Sequence, residues 1–210
     1  MDLPEPHMCQ VNVDTGLMAN ASGHYKKAYD DLVGLYADAT AFAALLAQRT
    51  GQVAYEVTQF IPEHAGRGDM IFGLTRMEPG KVGDEYFLTR GHIHARANRP
   101  EVYYGQKGTG LMVLESPEGE VRVCEVGPQS ICYVPPYWIH RSVNVGTEDF
   151  VMHFSYPADS GQDYAIIERS GGMRARIVDD GAGGWKQVEN PNWRARTADE
   201  VARVMATADV

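Results

Sequence analysis

Three histidines and one glutamate in this chain have the residue types and the spacing of a metal site. His92 and His94 stand two residues apart, Glu101 follows after a short gap, and His140 comes much later. On an extended backbone, side chains two residues apart project from the same face, about 7 Å apart, which suits two imidazoles that converge on one ion. A carboxylate and a third imidazole would complete such a site.

The other two ligands depend on turns that bring their segments back to the first pair. Residues 95–100 can reverse the chain, so that Glu101 and Tyr103 face inward from an adjoining strand. The Pro-Pro pair in residues 134–140 fixes the approach to His140, which begins the next strand. Three neutral imidazoles and one carboxylate suit Fe, Mn, Ni, Co or Zn, and they leave coordination positions open to water or substrate. The sequence therefore predicts a catalytic centre with one divalent metal ion per chain, with iron as the first choice.

A purely structural explanation exists for each histidine taken alone, because a hydrogen-bonded imidazole needs no metal. The combination of Gly-x-His-x-His, a following glutamate and Pro-Pro-x-x-x-His on a β-rich background is harder to explain in that way. The remaining histidines have no such context and are predicted to be surface or packing residues: His7, His24, His64 and His153. His153 stands in an apolar run that can face the core.

Short β-rich runs divided by turn residues dominate the middle of the chain, a pattern typical of a sandwich or barrel. The predicted strands are Val53–Phe60, Met70–Thr75, Glu101–Tyr104, Gly110–Glu115, Glu120–Val126, Ser130–Val134, Ser142–Val145 and Phe150–Ser155. Eight such strands can close a small barrel. We therefore predict an all-β fold with a core barrel at about residues 53–156.

The two ends of the chain are predicted to pack on this barrel as extensions. Asp31–Tyr36 is expected to be extended, and Asp38 or Thr40 is expected to cap a helix over Ala41–Arg49. Near the C-terminus, Thr197–Glu200 has the pattern of a capping box that opens a short helix.

Length and composition indicate one globular domain over residues 1–210, because no repeat or linker divides the chain. A formal net charge of -9 argues against a nucleic-acid partner, which requires clustered Lys and Arg. We expect no membrane span and a cytoplasmic location, since no stretch approaches the roughly 18 apolar residues that a bilayer requires. Cys9, Cys124 and Cys132 lack CxxC spacing and are expected to be free thiols, as in a reducing compartment. Cys124 and Cys132, which stand on apparent strands, are expected to be buried.

The segments that carry the predicted ligands resemble the two motifs of the cupin superfamily. The first motif corresponds to Gly91–Ala95 with Glu101–Gly105, and the second to Gly127–His140 with Asn144. Three longer stretches are similar to the cupin-type glucose-6-phosphate isomerases, the metal-dependent form known chiefly from archaea and some bacteria: Met77–His92, Pro135–Arg141 and Tyr156–Tyr164. The similarity covers roughly Tyr55–Tyr164, about half of the chain.

This resemblance implies a jelly-roll-like cupin β-barrel with short flanking helices. It also implies a homodimeric cytoplasmic enzyme of glycolysis and gluconeogenesis that interconverts glucose 6-phosphate and fructose 6-phosphate. The substrate residues that it implies are Thr75, Thr89 and Gly91 for the phosphate and Tyr55, Tyr103 and Tyr156 for the sugar. Gln162 is a departure, because the family usually has histidine at this point of its Ala-Asp-x-Gly-His-Asp-Tyr run. A proton shuttle or substrate contact made by that histidine is therefore in doubt here, and Gln162 is expected to contact substrate instead.

Aldose–ketose exchange moves hydrogen between C1 and C2 and stabilises an oxyanion, and a divalent metal meets the second need. Glu101 and Tyr156 are the predicted catalytic residues. Glu101 is either the base for an enediol route or a permanent metal ligand beside a hydride shift, and the sequence leaves both open. Lys81 and Arg90 either add charge near the phosphate or are solvated surface cations.

Two other functions remain open at this point. A cupin dioxygenase with non-haem Fe(II) uses the same three histidines and one glutamate, whereas flanking Thr and Tyr residues favour a phosphorylated polyol as the substrate. A sugar-binding or storage cupin with a structural metal would bind sugar phosphate without converting it.

Overall fold

Extended segments make up most of the chain in the computed structural model, which describes residues 5–63, 66 and 68–206. The described strands are β1 (Gln10–Asn12), β2 (Leu17–Ala19), β3 (Gly23–Ala28), β4 (Val53–Phe60), β5 (Met70–Met77), β6 (Lys81–Val82), β7 (Glu85–Tyr86), β8 (Glu101–Lys107), β9 (Gly110–Glu115), β10 (Val121–Val126), β11 (Ile131–Val134), β12 (Ile139–Asn144), β13 (Phe150–Pro157), β14 (Ala175–Asp179) and β15 (Trp185–Glu189).

The helices are short and flank the sheets: α1 (Ala39–Arg49), α2 (Ala165–Arg169) and α3 (Ala198–Ala206). The Asp38 side chain caps α1 by accepting a hydrogen bond from the Ala41 N–H at 2.8 Å, so the alternative cap at Thr40 was wrong. The predicted capping box of α3 is confirmed. Within the described residues, each helix is too short or too polar to cross a bilayer.

From β10 to β13, successive strands alternate between two sheets, which is the jelly-roll arrangement. One sheet has the order β11-β8-β13-β5-β4-β3 and a second has the order β10-β9-β12. A four-stranded sheet, β15-β14-β7-β6, and the hairpin β1-β2 complete the described part of the fold. The predicted all-β, jelly-roll-like cupin fold is confirmed, although hydrogen bonds between the described strands form separate sheets and not one closed cylinder.

The six-, four- and three-stranded sheets share a hydrophobic core. Every residue of β9 is buried in it. Leu111 and Met112 are fully buried, as are Ile139 on β12 and Phe150 on β13. Each such side chain contributes about 1.5–3 kcal/mol by its burial. Gly110 is required beside this core, because a Cβ there would lie 2.2 Å from the Phe150 ring.

Most predicted strands are confirmed, two of them, Val53–Phe60 and Gly110–Glu115, with unchanged bounds. The extended segment expected at Asp31–Tyr36 was wrong, since the chain forms a 3-10 helix at Tyr29–Leu32 followed by turns. Asp31 accounts for this, because its carboxylate accepts the Ala28 N–H at 2.9 Å and so favours a turn.

Glu115, at the end of β9, links the C-terminal extension to the second sheet. Its side chain is fully buried and accepts hydrogen bonds from the Arg174 backbone N–H, from Trp193 Nε1 at 3.1 Å and from Arg196 Nη1 at 2.8 Å. The Arg196 side chain is only 2% exposed. A buried arginine depends on this carboxylate for its charge balance.

We predict that Glu115→Ala lowers the free energy of unfolding by about 3–5 kcal/mol, because it leaves the Arg196 guanidinium buried without a counter-charge. Urea denaturation of the full chain measures this loss. Glu189→Ala is the control, since Glu189 pairs with Arg174 at the surface and its loss should cost at most about 1 kcal/mol. Equal losses in the two variants would show that the Glu115 cluster has no special role.

Candidate active site

The segment that carries His92 and His94 is held between two other parts of the chain. The backbone of His92 exchanges both hydrogen bonds with His140, at 3.0 and 2.9 Å. Ile93 exchanges its own pair with Asp163, at 3.2 and 2.8 Å. Ile93, between the two histidines, is thus held in place. The side chains of His92 and His94 project from the same side of the segment, as predicted.

Gly91 permits the close approach of this segment to β12. It has φ = +76°, and a Cβ would lie 2.9 Å from the His140 carbonyl oxygen. Both the backbone conformation and the contact disfavour any other residue. The glycine of the predicted Gly-x-His-x-His pattern thus has a direct role in bringing His92 to His140.

The four predicted ligands converge, with ligand atoms that all lie within 4.8 Å of one another. Glu101 Oε2 lies 3.2 Å from His94 Nε2 and 3.0 Å from His140 Nε2. Glu101, His94 and His140 are buried, and His92 is half-buried. Strands β8 and β12 supply Glu101 and His140, so the group joins the six-stranded and the three-stranded sheets.

The hydrogen bonds behind the imidazoles show that this group fits a metal ion. His94 Nδ1 donates to the Arg99 carbonyl at 2.8 Å, and His140 Nδ1 donates to the Trp138 carbonyl at 3.1 Å. A neutral imidazole that donates through Nδ1 presents a lone pair at Nε2. In their neutral form, both Nε2 atoms present lone pairs to the Glu101 carboxylate, an arrangement that a metal cation between them would stabilise.

His92 supports the same conclusion. Its Nε2 is buried and has no hydrogen-bond partner among the described residues. Such an orphaned atom is rare and calls for a ligand. Burial, together with the neighbouring His140, lowers the pKa of His92 well below its ordinary value, so this imidazole stays neutral and able to bind a metal.

The charge of Glu101 is also suited to a cation. Burial raises the pKa of this carboxyl, but the hydrogen bonds and positive charge that His140 and His94 supply when they are protonated outweigh burial and hold the pKa well below its usual range. Glu101 is therefore ionised at neutral pH.

A cleft opens beside the four ligands. Its lining consists of Tyr25, Tyr55, Val57, Gln59, Thr75, Thr89, Gly91, His92, Glu101, Tyr103, Ser142, Phe154, Tyr156, Gln162 and Tyr164. Every residue predicted to contact substrate is in this set, and so is the predicted catalytic residue Tyr156. Their placement together agrees with the sequence analysis, while their contacts with a substrate stay predictions.

Tyrosine hydroxyls give the cleft its polar character. Burial raises the pKa of Tyr55 to about 12, and it also raises the pKa values of Tyr103 and Tyr156. These hydroxyls stay protonated at neutral pH and can donate hydrogen bonds to a polyol.

Comparison with known proteins identifies the family. The family model for glucose-6-phosphate isomerase matches residues 26–194. This chain belongs to the glucose-6-phosphate isomerase family.

Relatives in this family are similar over most of their length. A protein of Rhizobium meliloti named putative glucose-6-phosphate isomerase 1 is 63% identical over 198 residues, which cover 94% of this chain and 92% of the relative. A glucose-6-phosphate isomerase of Thermococcus kodakarensis is 41% identical over 194 residues, which cover 92% of this chain and 100% of the relative. Among solved structures, oxalate decarboxylase from Bacillus subtilis is 21% identical, with a TM-score of 0.43. The match covers 52% of this chain and 27% of the decarboxylase chain.

Two tyrosines of the isomerase-family cleft were missed by the sequence analysis. Tyr25 lies on β3 and pairs with Val57, which in turn pairs with Thr75, so the three face the cleft in one row. Tyr164 donates a hydrogen bond to Gln162 Oε1. A detectable signal existed for Tyr164, which stands two residues from Gln162 in the family-like run, whereas Tyr25 lies in no recognised motif.

The two cations considered for phosphate binding lie outside the cleft lining. Lys81 pairs with Asp179 on β14, which favours the alternative that Lys81 is a surface cation. Arg90 pairs with Glu168, and its guanidinium carbon stacks 4.6 Å from the centre of the Tyr164 ring. Arg90 therefore supports a wall of the cleft without lining it.

The other histidines lie away from the ligand group, as predicted. His7 stacks on Phe60 with 4.3 Å between ring centres, and His24 pairs with Glu56. His153 is only half-buried and contacts Phe72 on the outer face of its sheet, so it does not face the main core. The prediction for His64 lies outside the described residues.

All three cysteines are free, as expected, but only Cys132 is buried. The expectation of burial is confirmed for Cys132 and was wrong for Cys124, which is exposed on β10.

Proposed function

We propose that this chain is a metal-dependent aldose–ketose isomerase that interconverts glucose 6-phosphate and fructose 6-phosphate. The observation that carries the proposal is the group of four converging ligand atoms beside a cleft lined with Tyr and Thr. Relatives that are 61–63% identical bear the name of this enzyme. Membership of the family disfavours the dioxygenase and storage alternatives.

The proposed cofactor is one divalent metal ion per chain, held by His92, His94, Glu101 and His140. Iron is the first choice, and Mn, Ni, Co or Zn also suit this mixed set of nitrogen and oxygen donors. When bound, such an ion supplies Lewis-acid stabilisation of negative charge on a substrate oxygen.

The proposed phosphate site uses neutral donors. Thr89 Oγ1 accepts a hydrogen bond from the Ser142 N–H at 3.0 Å, which orients the hydroxyl and leaves its own hydrogen to donate. Thr75 lies on the same cleft, and Gly91 lets an anion approach the backbone closely. We infer that Tyr55, Tyr103 and Tyr156 hold the sugar chain and that Gln162 contacts it.

We predict that chelation abolishes isomerisation and that adding back a divalent metal restores it. The described residues of the cleft lining include neither Lys nor Arg, so a bound cation is needed to stabilise a full negative charge on the reacting oxygens. Conversion of fructose 6-phosphate, coupled to oxidation of the product, measures the activity. Unchanged activity in the metal-free chain would rule out the proposed mechanism, and oxygen consumption in place of isomerisation would support the dioxygenase.

Two routes assign different work to Glu101. In the enediol route it removes a proton from carbon, and in a hydride shift it remains a ligand while hydrogen passes between C1 and C2. The contacts of Oε2 with His94 and His140, and the lowered pKa, favour the ligand role because a carboxylate with a low pKa is a weak base.

We therefore predict that product formed in deuterium oxide carries no solvent deuterium at C1 or C2, as measured by proton NMR at early conversion. Glu101→Gln should lose tight metal binding and activity together, since an amide is a poorer ligand. Solvent deuterium in the product, with metal retained by Glu101→Gln, would instead identify Glu101 as the base.

A homodimer is the proposed assembly, and an exposed apolar patch on β8 and β11 supports it. The patch consists of Val102 and Tyr104, each 39% exposed, with Ile131 at 73% and Tyr133 at 56%. Direct pairing of Ile131 with Tyr104 and of Tyr133 with Val102 places all four on one face. Strand β11 is the edge of its sheet, so the patch is accessible to a second copy.

A cytoplasmic location is also proposed, because three free cysteines suit a reducing compartment.

We predict that light scattering after size exclusion gives the mass of two chains for the native protein and of one chain for the double variant Ile131→Glu, Tyr133→Glu. Two carboxylates would be buried without partners in the dimer. Met205→Glu is the control, since Met205 is a similarly exposed apolar residue on α3 and should not alter the mass. A native monomer, or a double variant that still dimerises, would contradict the proposal.

A further inference from the structure

Asp159 stands in the turn after β13 and receives two guanidinium groups. Arg99 donates from Nε to Oδ1 at 2.8 Å and from Nη2 to Oδ2 at 2.7 Å, and Arg96 donates from Nη1 to Oδ2 at 2.7 Å. The Asp159 side chain is only 11% exposed. A forked, largely buried pair of this kind fixes geometry much better than an exposed ion pair.

Both arginines belong to the short loop that joins two of the ligands, His94 and Glu101. The loop is also tied by its backbone, since the Arg96 N–H donates to the Ser160 carbonyl at 2.8 Å. Every one of these contacts runs from the loop to residues 159–160. The turn after β13 therefore fixes the path of the chain between the two ligands.

Arg99 connects the carboxylate to a ligand directly. Its side chain binds Asp159, and its carbonyl accepts the hydrogen bond from His94 Nδ1 at 2.8 Å. That carbonyl sets the tautomer and the ring orientation of His94, and so aims His94 Nε2 at the other ligands. Displacement of the Arg99 backbone would turn the imidazole.

The same turn also supports the ligand segment from its other side. A few residues beyond Asp159, Asp163 exchanges backbone hydrogen bonds with Ile93, which lies between His92 and His94. Gln162 lies between these two points and lines the cleft. The loop, the ligand segment and a wall of the cleft are thus all attached to residues 159–163.

We infer that Asp159 is a positioning residue of the metal centre, which sets metal affinity by holding the Arg99 carbonyl against His94. The inference rests on the proposed function in that it takes the four ligands to bind a divalent metal. It concerns metal affinity, which can be measured without any substrate.

The test compares Asp159→Asn with Asp149→Asn in the full-length, metal-free chain. Asp149 is the matched control, because it also accepts from an arginine, Arg76 Nε at 2.7 Å, and is 24% exposed, but its pair lies away from the ligands. Competition with a chromophoric chelator gives the dissociation constant for Co2+. We expect this constant to rise about 10–100-fold for Asp159→Asn, as for loss of other groups that orient a ligand, and to change less than about twofold for Asp149→Asn.

Arg99→Lys is a second variant in case Asp159→Asn does not fold, and it keeps the charge but loses the fork. It should weaken Co2+ binding in the same direction, whereas Asp159→Glu should recover part of the affinity. Native affinity in both Asp159→Asn and Arg99→Lys would overturn the inference, as would equal weakening in Asp149→Asn or a native chain that binds no Co2+.

Failure of the proposed function gives a different result. If the native chain binds Co2+ tightly, Asp159→Asn binds it weakly and neither converts sugar phosphate, the isomerase proposal fails and the positioning role stands. If the native chain is an active isomerase and Asp159→Asn binds Co2+ normally, only the positioning role fails.

Discussion

Three potential ligand atoms face one another in the buried centre of this protein, Nε2 of His94, Nε2 of His140 and a carboxylate oxygen of Glu101, and the rest of the site is arranged around them. Two backbone carbonyls, those of Arg99 and Trp138, take the Nδ1 protons of His94 and His140, so that both Nε2 lone pairs point at an ionised carboxylate. In a low-dielectric interior such an arrangement is costly unless a cation joins the acceptors. The carbonyls that fix the imidazoles thus matter as much as the ligands themselves.

The jelly roll can bring these ligand atoms together because its six-stranded and three-stranded sheets supply ligands from separate strands. Glu101 begins β8 in the six-stranded sheet, and His140 lies in β12 of the three-stranded sheet. Between them, the segment of His92 and His94 belongs to neither sheet and is fixed by isolated backbone pairs with His140 and Asp163. An irregular segment can take the path that the ligands require, while the regular strands on either side keep it in place.

The ligand set could be predicted from sequence because local patterns specify it. Alternation on an extended chain places His92 and His94 together, and Pro-Pro before His140 marks a fixed turn. Strand β4 was also predictable, since Val53–Phe60 is a continuous β-forming run. Tyr25 was not, because the surface of β3 shows no clear alternation and its place in the cleft depends on pairing with β4, far away in the chain. The choice between the two alternatives for Lys81 could not be made from sequence for the same reason, since its partner Asp179 is remote in the chain.

The sugar phosphate substrate is anionic, but the described residues of the cleft lining include neither Lys nor Arg. Neutral donors therefore have to recognise the phosphate, and the Thr75 and Thr89 hydroxyls of the lining are the ones proposed for it. A strong cation in the cleft would compete with a metal ion for the Glu101 carboxylate, because both seek the same negative charge. The arginines instead lie one step back, where Arg90 stacks on Tyr164 and Arg99 binds Asp159. The arginines of this site thus support the walls of the cleft, and the centre is left to four residues that could hold a metal ion.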